Sequence, residues 1–278
     1  METFTAINGE GPAVVLLHGM FATADCWEPT AADLSRDHRV IVPDLPGHGR
    51  STTGAQPDSL SFYVQWLHDL LDELGVEQAV LVGNSMGGAI SLAYARAHPE
   101  RVSALVLANP LGMSTAIPWD SGWRLLVRGR HMVAAALTGH IKPHVFRYLE
   151  GWLVRQPWGR FADVLERMTA LNFKQGLVSV LAGVRLLLVD FLPQGRRIRF
   201  AQTPTPAPAL VVWGAHDGLL PARHATEARE RFPTDRYVIF ANSAHMPMLD
   251  EPEAFNALVR EFLTDIEKDV YARPAAHR

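Results

Sequence analysis

The chain has 278 residues, of which 48% are hydrophobic and 20% are charged, and its formal net charge is −3 at pH 7. This composition is sufficient for one large buried core, and the nearly balanced charge excludes a general electrostatic preference for nucleic acid. The single cysteine, Cys26, excludes a disulfide framework. The first residues lack the pattern of a signal peptide and the apolar runs are too short to span a bilayer, so a soluble, cytoplasmic protein is expected. Nothing in the composition indicates an oligomeric state.

Short apolar runs recur along the chain and are each ended by Gly, Asn or Asp. They are nearly continuous rather than alternating, which is typical of strands buried on both faces of a parallel sheet. An N-terminal strand is expected around residues 3–7, and the others cover residues 13–17, 39–42, 79–82, 102–108, 209–213 and 237–240. Helical patterns at residues 59–74, 86–97, 222–231 and 253–266 separate several of them. This alternation predicts an α/β fold with a doubly wound, mostly parallel sheet.

The alternation stops between Pro110 and Thr203, where apolar residues recur at helical spacing without a clear strand. We therefore predict a helical lid at 113–202 inserted between two parts of one core, 1–112 and 203–278. Residues 120–200 contain 13 Lys and Arg but 5 Asp and Glu. The plainer interpretation is solvated helix faces; the alternative is a surface for an acidic carrier protein or an anionic membrane.

The segment 83–87, Gly-Asn-Ser-Met-Gly, lies between a predicted strand and a predicted helix. This G-x-S-x-G pattern is typical of a sharp turn that lifts a serine hydroxyl clear of the sheet, although glycine-rich turns also bind phosphate or simply pack. Its spacing differs from that of the G-x-G-x-x-G dinucleotide fingerprint. Ser85 is therefore a candidate nucleophile.

A nucleophilic serine needs a base and a carboxylate that orients the base. Among the 12 histidines, His245 follows a predicted strand within a short loop, and Asp217 follows the strand before it. The carboxyl ends of parallel strands share one edge of a sheet, so Ser85, Asp217 and His245 are expected to meet there. Asp217 is also compatible with a plain Asp-Gly turn, and His245 with an ordinary loop histidine.

Stabilising the negative charge of an acyl-transfer intermediate requires two backbone N–H groups. We expect them from Met86, which begins the helix after Ser85, and from Met20, in the loop after the strand at 13–17. His18 in that loop is expected to be structural rather than a second base. We expect four residues beside these groups to line a substrate pocket: Phe21, Leu111, Leu219 and Met246.

Six stretches together resemble the α/β-hydrolase superfamily: LLHG, VPDLPGHGRS, LVGNSMGG, AHPERVSALVLANP, VVWGAHDGLLP and SAHMPMLDEPEAF. The resemblance covers the chain except the lid. It implies Ser85 as nucleophile, His245 as base, Asp217 as acid, and the amides of Met20 and Met86 as the oxyanion hole, with no metal or organic cofactor. The loop 44–49 is interpreted as structural.

The reaction expected from the resemblance is hydrolysis of a small carboxylic ester with an apolar acyl group. Carrier-protein methyl ester esterases resemble the chain more than C–C hydrolases of ring-fission products, which usually have a Gly-rich loop after the first HG and a Trp where Met246 stands. A thioesterase, a lactonase and a non-catalytic small-molecule receptor of the same fold remain alternatives.

Overall fold

A computed structural model of the chain describes residues 2–52, 59–113, 153–156, 159–175 and 205–272. Within these ranges seven strands form one sheet in the order β1-β3-β2-β4-β5-β6-β7. All neighbouring strands are parallel except β1, which pairs antiparallel with β3. The strands are β1 (Thr5–Asn8), β2 (Ala13–Leu17), β3 (Arg39–Pro43), β4 (Ala79–Asn84), β5 (Val102–Ala108), β6 (Ala209–Gly214) and β7 (Arg236–Phe240). The predicted α/β fold with a mostly parallel, doubly wound sheet is confirmed.

Seven α-helices are present in the described ranges, in addition to short 3₁₀ turns at Ala24–Trp27 and Pro99–Arg101. Ser59 caps the helix Leu60–Glu73 by accepting a hydrogen bond from the Phe62 amide, and Gly75 follows the end of this helix with φ +64°, a conformation that glycine adopts without strain. The helices are α1 (Glu28–Leu34), α2 (Leu60–Glu73), α3 (Met86–Ala97), α4 (Ala162–Gln175), α5 (Arg223–Arg231), α6 (Pro247–Asp250) and α7 (Pro252–Ala272).

Each face of the sheet is covered by its own apolar cluster. On β4, Leu81 belongs to the cluster that includes α2 and α3, whereas Val80 and Val82 belong to the cluster that includes α1 and α7. Successive strand residues point to opposite faces, which explains why the sequence of this central strand is apolar at every position up to Gly83.

The strand order reverses between β2 and β4, since β2 continues to β3 on one side and β4 continues to β5 on the other. In open α/β sheets, ligands bind beyond the carboxyl ends of the strands at such a point. The loops after β2 and β4 contain Met20 and Ser85, so both candidate segments lie there.

Most of the predicted lid lies outside the described residues, so its boundaries remain a prediction. The described part comprises 153–156 and 159–175, which includes the helix α4. This helix agrees with the helical spacing of apolar residues that the sequence shows in the lid region. Val164, Leu165 and Met168 of α4 are buried in the same cluster as α1 and α7. No helix among the described residues is long and apolar enough to cross a membrane.

Asp235 precedes β7 and has a carboxylate that is incompletely satisfied. Thr205 donates a hydrogen bond of 2.5 Å to Oδ1, while Oδ2 is buried and has no partner among the described residues. Burial raises the pKa of Asp235 to about 6. Because the folded-state pKa lies above that of the unfolded chain, ionisation destabilises the fold as pH rises from about 4 through about 6.

We expect Asp235→Asn to be more stable than the wild type at pH 8 by about 1 kcal/mol, a value reduced for partial solvent screening, and to lose this advantage at pH 4. Asparagine keeps the oxygen that accepts from Thr205 and removes the charge. The measurement is urea unfolding of both proteins at each pH. A difference in unfolding free energy that is the same at both pH values would show that the Asp235 charge is not responsible.

Candidate active site

Ser85 stands on a strained turn between β4 and α3. Its φ of 54° is rare for a residue with a side chain, and its ψ is −113°. Its amide donates to the carbonyl of Ala108, and its carbonyl accepts from the amides of Ala89 and Leu111. Although Ser85 occupies the N-cap position of α3, its hydroxyl makes no capping hydrogen bond. The turn therefore holds the main chain and leaves the half-buried hydroxyl available.

The glycines of this turn are required by close backbone contacts. A Cβ on Gly83 would lie 2.4 Å from the Gly87 carbonyl oxygen, and one on Gly87 would lie 2.1 Å from that of Leu17. Side chains at these positions would separate β4, α3 and the loop after β2.

Asp217 and His245 form the buried pair that the sequence predicts. Asp217 Oδ2 is 2.7 Å from His245 Nδ1, and the two residues are 6% and 3% exposed. Oδ1 of Asp217 accepts hydrogen bonds from the amides of Leu219 (2.7 Å) and Leu220 (2.8 Å). Because an ionised carboxylate only accepts hydrogen bonds, Nδ1 must be the protonated nitrogen, and Nε2 of neutral His245 is then able to take a proton.

Asn109, directly after β5, also belongs to the site, although the sequence patterns did not predict it. Its side-chain amide donates to Asp217 Oδ2 at 2.5 Å, and the residue is completely buried with φ 46°. The signal in the sequence is its position: Asn109 directly follows a predicted strand, as Asp217 and His245 nearly do. Among the described non-glycine residues, positive φ occurs at Phe21, Ser85 and Asn109, all in loops at this edge of the sheet.

The loops of Ser85 and His245 are joined through Asn84. Its side-chain amide donates to the carbonyl oxygens of His245 (2.9 Å) and Ala108 (3.1 Å). Asn84 is completely buried and precedes Ser85 directly, so it ties the main chain of the candidate nucleophile to that of the candidate base.

The loop after β2 approaches Ser85 closely. A Cβ on Gly19 would lie 3.0 Å from that of Ser85. The carbonyl of Gly19 accepts hydrogen bonds from His18 Nδ1 (2.8 Å) and from the Ala22 amide (3.2 Å). In a trans peptide the N–H is antiparallel to the C=O, so these bonds determine the direction of the Met20 N–H. Met86 is the first residue of α3, where an amide has no partner within the helix.

His18 is a structural residue, in agreement with the sequence interpretation. The Leu45 amide donates to its Nε2 at 2.8 Å, so that nitrogen is unprotonated and His18 is neutral. Burial, opposed by the charge of Asp44, lowers the pKa of His18. The neighbouring His48 is also buried, and its pKa is lowered to about 3. The hydrogen bond from Leu45 thus requires a neutral His18, and a pKa of about 3 keeps His48 uncharged at neutral pH.

The loop 44–49 braces the loop after β2 through Asp44. The Asp44 carboxylate accepts hydrogen bonds from the Ala24 amide (2.6 Å) and from Arg50 Nε (2.7 Å). Burial alone would raise the pKa of Asp44, but the hydrogen bond from Arg50 and the other donors outweigh burial and lower it. Asp44 therefore remains ionised and holds both loops, which agrees with a structural role.

The four predicted pocket residues have different surroundings. Phe21 and Leu219 are partly exposed, Leu111 is 9% exposed, and Met246 is 1% exposed and belongs to the cluster that includes α7. His216, next to Asp217, is exposed. Among the described residues, no group of three or more His, Cys, Asp or Glu side chains is arranged to hold a metal ion. Trp119, Trp123, Trp152 and Trp158 of the predicted lid, and its arginines Arg196, Arg197 and Arg199, lie outside the described residues.

The chain is similar to known proteins over most of its length and not only at these site residues. A model of the α/β-hydrolase fold family matches residues 12–252. Pimeloyl-[acyl-carrier protein] methyl ester esterase of Vibrio campbellii is 31% identical over 91% of this chain and 95% of its own length. An uncharacterized protein of Mycobacterium tuberculosis is 28% identical over 97% of this chain and 80% of its own length.

Among solved structures, the enol-lactonase of Burkholderia xenovorans superposes with a TM-score of 0.76 and 23% identity, covering 94% of this chain and 96% of the other. At that identity the superposition supports the fold alone. Because the superposition covers 94% of this chain, it extends beyond the seven-stranded sheet.

Proposed function

The chain belongs to the α/β-hydrolase fold family, and on that basis we propose that it hydrolyses carboxylic esters through an acyl-enzyme. The observation that carries the proposal is the buried Asp217–His245 pair at the same sheet edge as Ser85, whose hydroxyl is not engaged in capping α3. The relative from Vibrio campbellii is named an ester hydrolase, which supports the same reaction class.

In the proposed first step, Ser85 Oγ attacks the acyl carbon and His245 Nε2 takes the hydroxyl proton. The resulting oxyanion accepts hydrogen bonds from the amides of Met20 and Met86. As the tetrahedral intermediate collapses, His245 returns the proton to the leaving alkoxide, and the alcohol departs.

Water then repeats the sequence on the acyl-enzyme. His245 takes a proton from the water, the hydroxide adds to the acyl carbon, and the proton returns to Ser85 Oγ as the carboxylic acid leaves. Asp217 keeps the proton of His245 on Nδ1 and stabilises the imidazolium formed in each half-reaction. Every proton is returned and no atom changes its oxidation state, so the cycle balances with the ester and water alone.

Turnover by the wild-type protein of p-nitrophenyl acetate, butyrate, octanoate and palmitate, with a ring-fission dienoate beside them, tests the proposal. We expect hydrolysis of short- and medium-chain esters and little cleavage of the dienoate. Cleavage of the dienoate alone would support a C–C hydrolase instead. Absence of turnover on every compound, with binding of one of them, would support a receptor.

We also propose that the basic lid binds an acidic carrier protein that presents the acyl ester. The support is the excess of Lys and Arg at 120–200 and the likeness to an esterase whose name specifies an acyl-carrier substrate.

Reversing Arg196, Arg197 and Arg199 to Glu is expected to lower kcat/KM for a carrier-bound methyl ester by at least about tenfold at low salt, and to leave kcat/KM for p-nitrophenyl butyrate unchanged. Equal losses on the two substrates would contradict a carrier surface.

Asn109→Asp is expected to lower kcat/KM at pH 7 by about ten- to a hundredfold. It would place a second carboxylate on Asp217 Oδ2, where two close carboxylates cannot both ionise readily, and the retained proton would weaken the acceptor for His245. Aspartate has the shape of asparagine and tolerates positive φ, so the change is mainly electrostatic. The measurement is the pH profile of kcat/KM together with thermal unfolding; an unchanged profile in a folded variant would contradict this role.

A further inference from the structure

The carboxylate of Asp250 lies between two segments that are far apart in sequence. Its Oδ1 accepts a hydrogen bond of 2.6 Å from the amide of Arg155, and its Oδ2 accepts one of 2.7 Å from the amide of Ala244. Ala244 directly precedes His245. Arg155 belongs to 153–156, a described segment within the predicted lid, which we call the anchor segment.

A second hydrogen bond joins the anchor segment to the other side of His245. The amide of Met246 donates to the carbonyl of Leu153 at 2.9 Å. Asp250 itself is held at the end of α6, where its amide donates to the carbonyl of Met246 at 3.0 Å. The residues before and after His245 are thus both connected to the anchor segment, one of them through the Asp250 side chain.

The His245 loop is also connected to the core. Asn84 donates to the carbonyl of His245 at 2.9 Å, and Asn109 contacts the carbonyl of Ala244 at 3.4 Å. The loop is therefore held between the sheet edge and the anchor segment. Loss of either connection would allow the imidazole to shift relative to Ser85.

We propose that Asp250 is a positioning residue that couples the anchor segment to the His245 loop, so that a correctly placed anchor segment is required for an efficiently placed imidazole. The proposal rests on the proposed function, in which His245 is the base. A shift of about 1 Å in a reacting group is sufficient to lower a rate by up to a hundredfold.

The chemistry of the site requires a carboxylate at this position. Each of the two oxygens faces a backbone N–H, so the NH₂ of an asparagine would have to face one of these donors. Burial raises the pKa of Asp250 to about 6, with the two backbone hydrogen bonds and Arg155 opposing the rise and Glu251 adding to it. At pH 8 the group is ionised and able to accept both bonds.

Glu251 provides a matched control one residue away. A single oxygen of its carboxylate, Oε2, accepts from the Asn242 amide (3.1 Å) and from Ser243 Oγ (2.7 Å). Glutamine can keep both bonds through its carbonyl oxygen, so Glu251→Gln removes a charge from the same loop without removing an acceptor. We identify no contact from Glu251 to the anchor segment among the described hydrogen bonds.

The test compares Asp250→Asn and Glu251→Gln with the wild type at pH 8, using p-nitrophenyl butyrate. We expect Asp250→Asn to lower kcat by about tenfold with little change in KM, and Glu251→Gln to remain within about twofold of the wild type. Arg155→Pro removes the donor to Oδ1 while leaving the carboxylate in place, and is expected to lower kcat in the same direction. This second variant keeps the proposal testable should Asp250→Asn fail to fold.

Amide hydrogen exchange of the same proteins provides a readout independent of turnover. Asp250→Asn is expected to increase exchange in peptides covering both 153–156 and 242–248, whereas Glu251→Gln is not. An active wild type whose kcat and exchange are both unaffected by Asp250→Asn would overturn the coupling. If the wild type hydrolyses no ester, the proposed function fails, while the exchange data still decide whether Asp250 connects the two segments.

Discussion

Ser85→Ala is expected to lower kcat for p-nitrophenyl butyrate by at least about a thousandfold, with little change in the melting temperature. The expected loss is large because the proposed mechanism has no substitute for the Ser85 oxygen as nucleophile. The fold is expected to be preserved because the hydroxyl does not cap α3 and the main-chain hydrogen bonds of the turn are independent of it. Alanine also has the same steric difficulty at positive φ as serine, so the strain of the turn is similar in both proteins.

Ser91→Ala is the matched control for this change. Ser91 lies on α3, is completely buried and donates to the carbonyl of Gly87 at 2.8 Å, so its hydroxyl has a structural partner. We expect this variant to retain kcat within a few-fold. Comparable losses in the two variants would indicate damage to α3 and not removal of a nucleophile.

Asp217→Asn is expected to lower kcat by about a thousandfold or more. Four groups donate to the Asp217 carboxylate: His245 and Asn109 to one oxygen, and the amides of Leu219 and Leu220 to the other. An asparagine NH₂ turned towards His245 would force Nδ1 to accept, leaving Nε2 protonated and unable to act as a base. Turned the other way, it would face two backbone N–H groups and destabilise the loop.

The measurement is kcat for Asp217→Asn beside Asp235→Asn, which makes the same substitution at another buried carboxylate. We expect kcat of the second variant to equal that of the wild type. Retention of kcat within tenfold by a folded Asp217→Asn would contradict the proposed role of Asp217.

Much of the core is predictable from the sequence because local signals and tertiary packing agree there. The predicted bounds of β2, β5 and α3 are confirmed to the residue: uninterrupted apolar runs indicate strands buried on two faces, and the turn at Ser85 marks where α3 begins. The proximity of Asp217 and His245 is predictable as well, because the loops that follow parallel strands all lie at one edge of the sheet.

Other features were missed because their signals are weak or non-local. The helix α1 buries Thr30, Ala31 and Leu34, which form a short stripe of mostly small residues without a clear amphipathic pattern. Asn109 and Asp250 act through side chains whose partners are 108 and 95 residues away in sequence. Periodicity reports which face of an element is buried but contains no information about such pairings.

Reaction of the protein with a fluorophosphonate, followed by intact-mass and peptide analysis, tests the central claim most directly. The proposed nucleophile would displace fluoride and retain the phosphonyl group, so we predict one adduct per chain, on Ser85, accompanied by loss of ester hydrolysis. Ser91, on the same helix but completely buried, is expected to remain unmodified. A protein that hydrolyses esters at full rate after the reagent has left Ser85 unmodified would contradict the account.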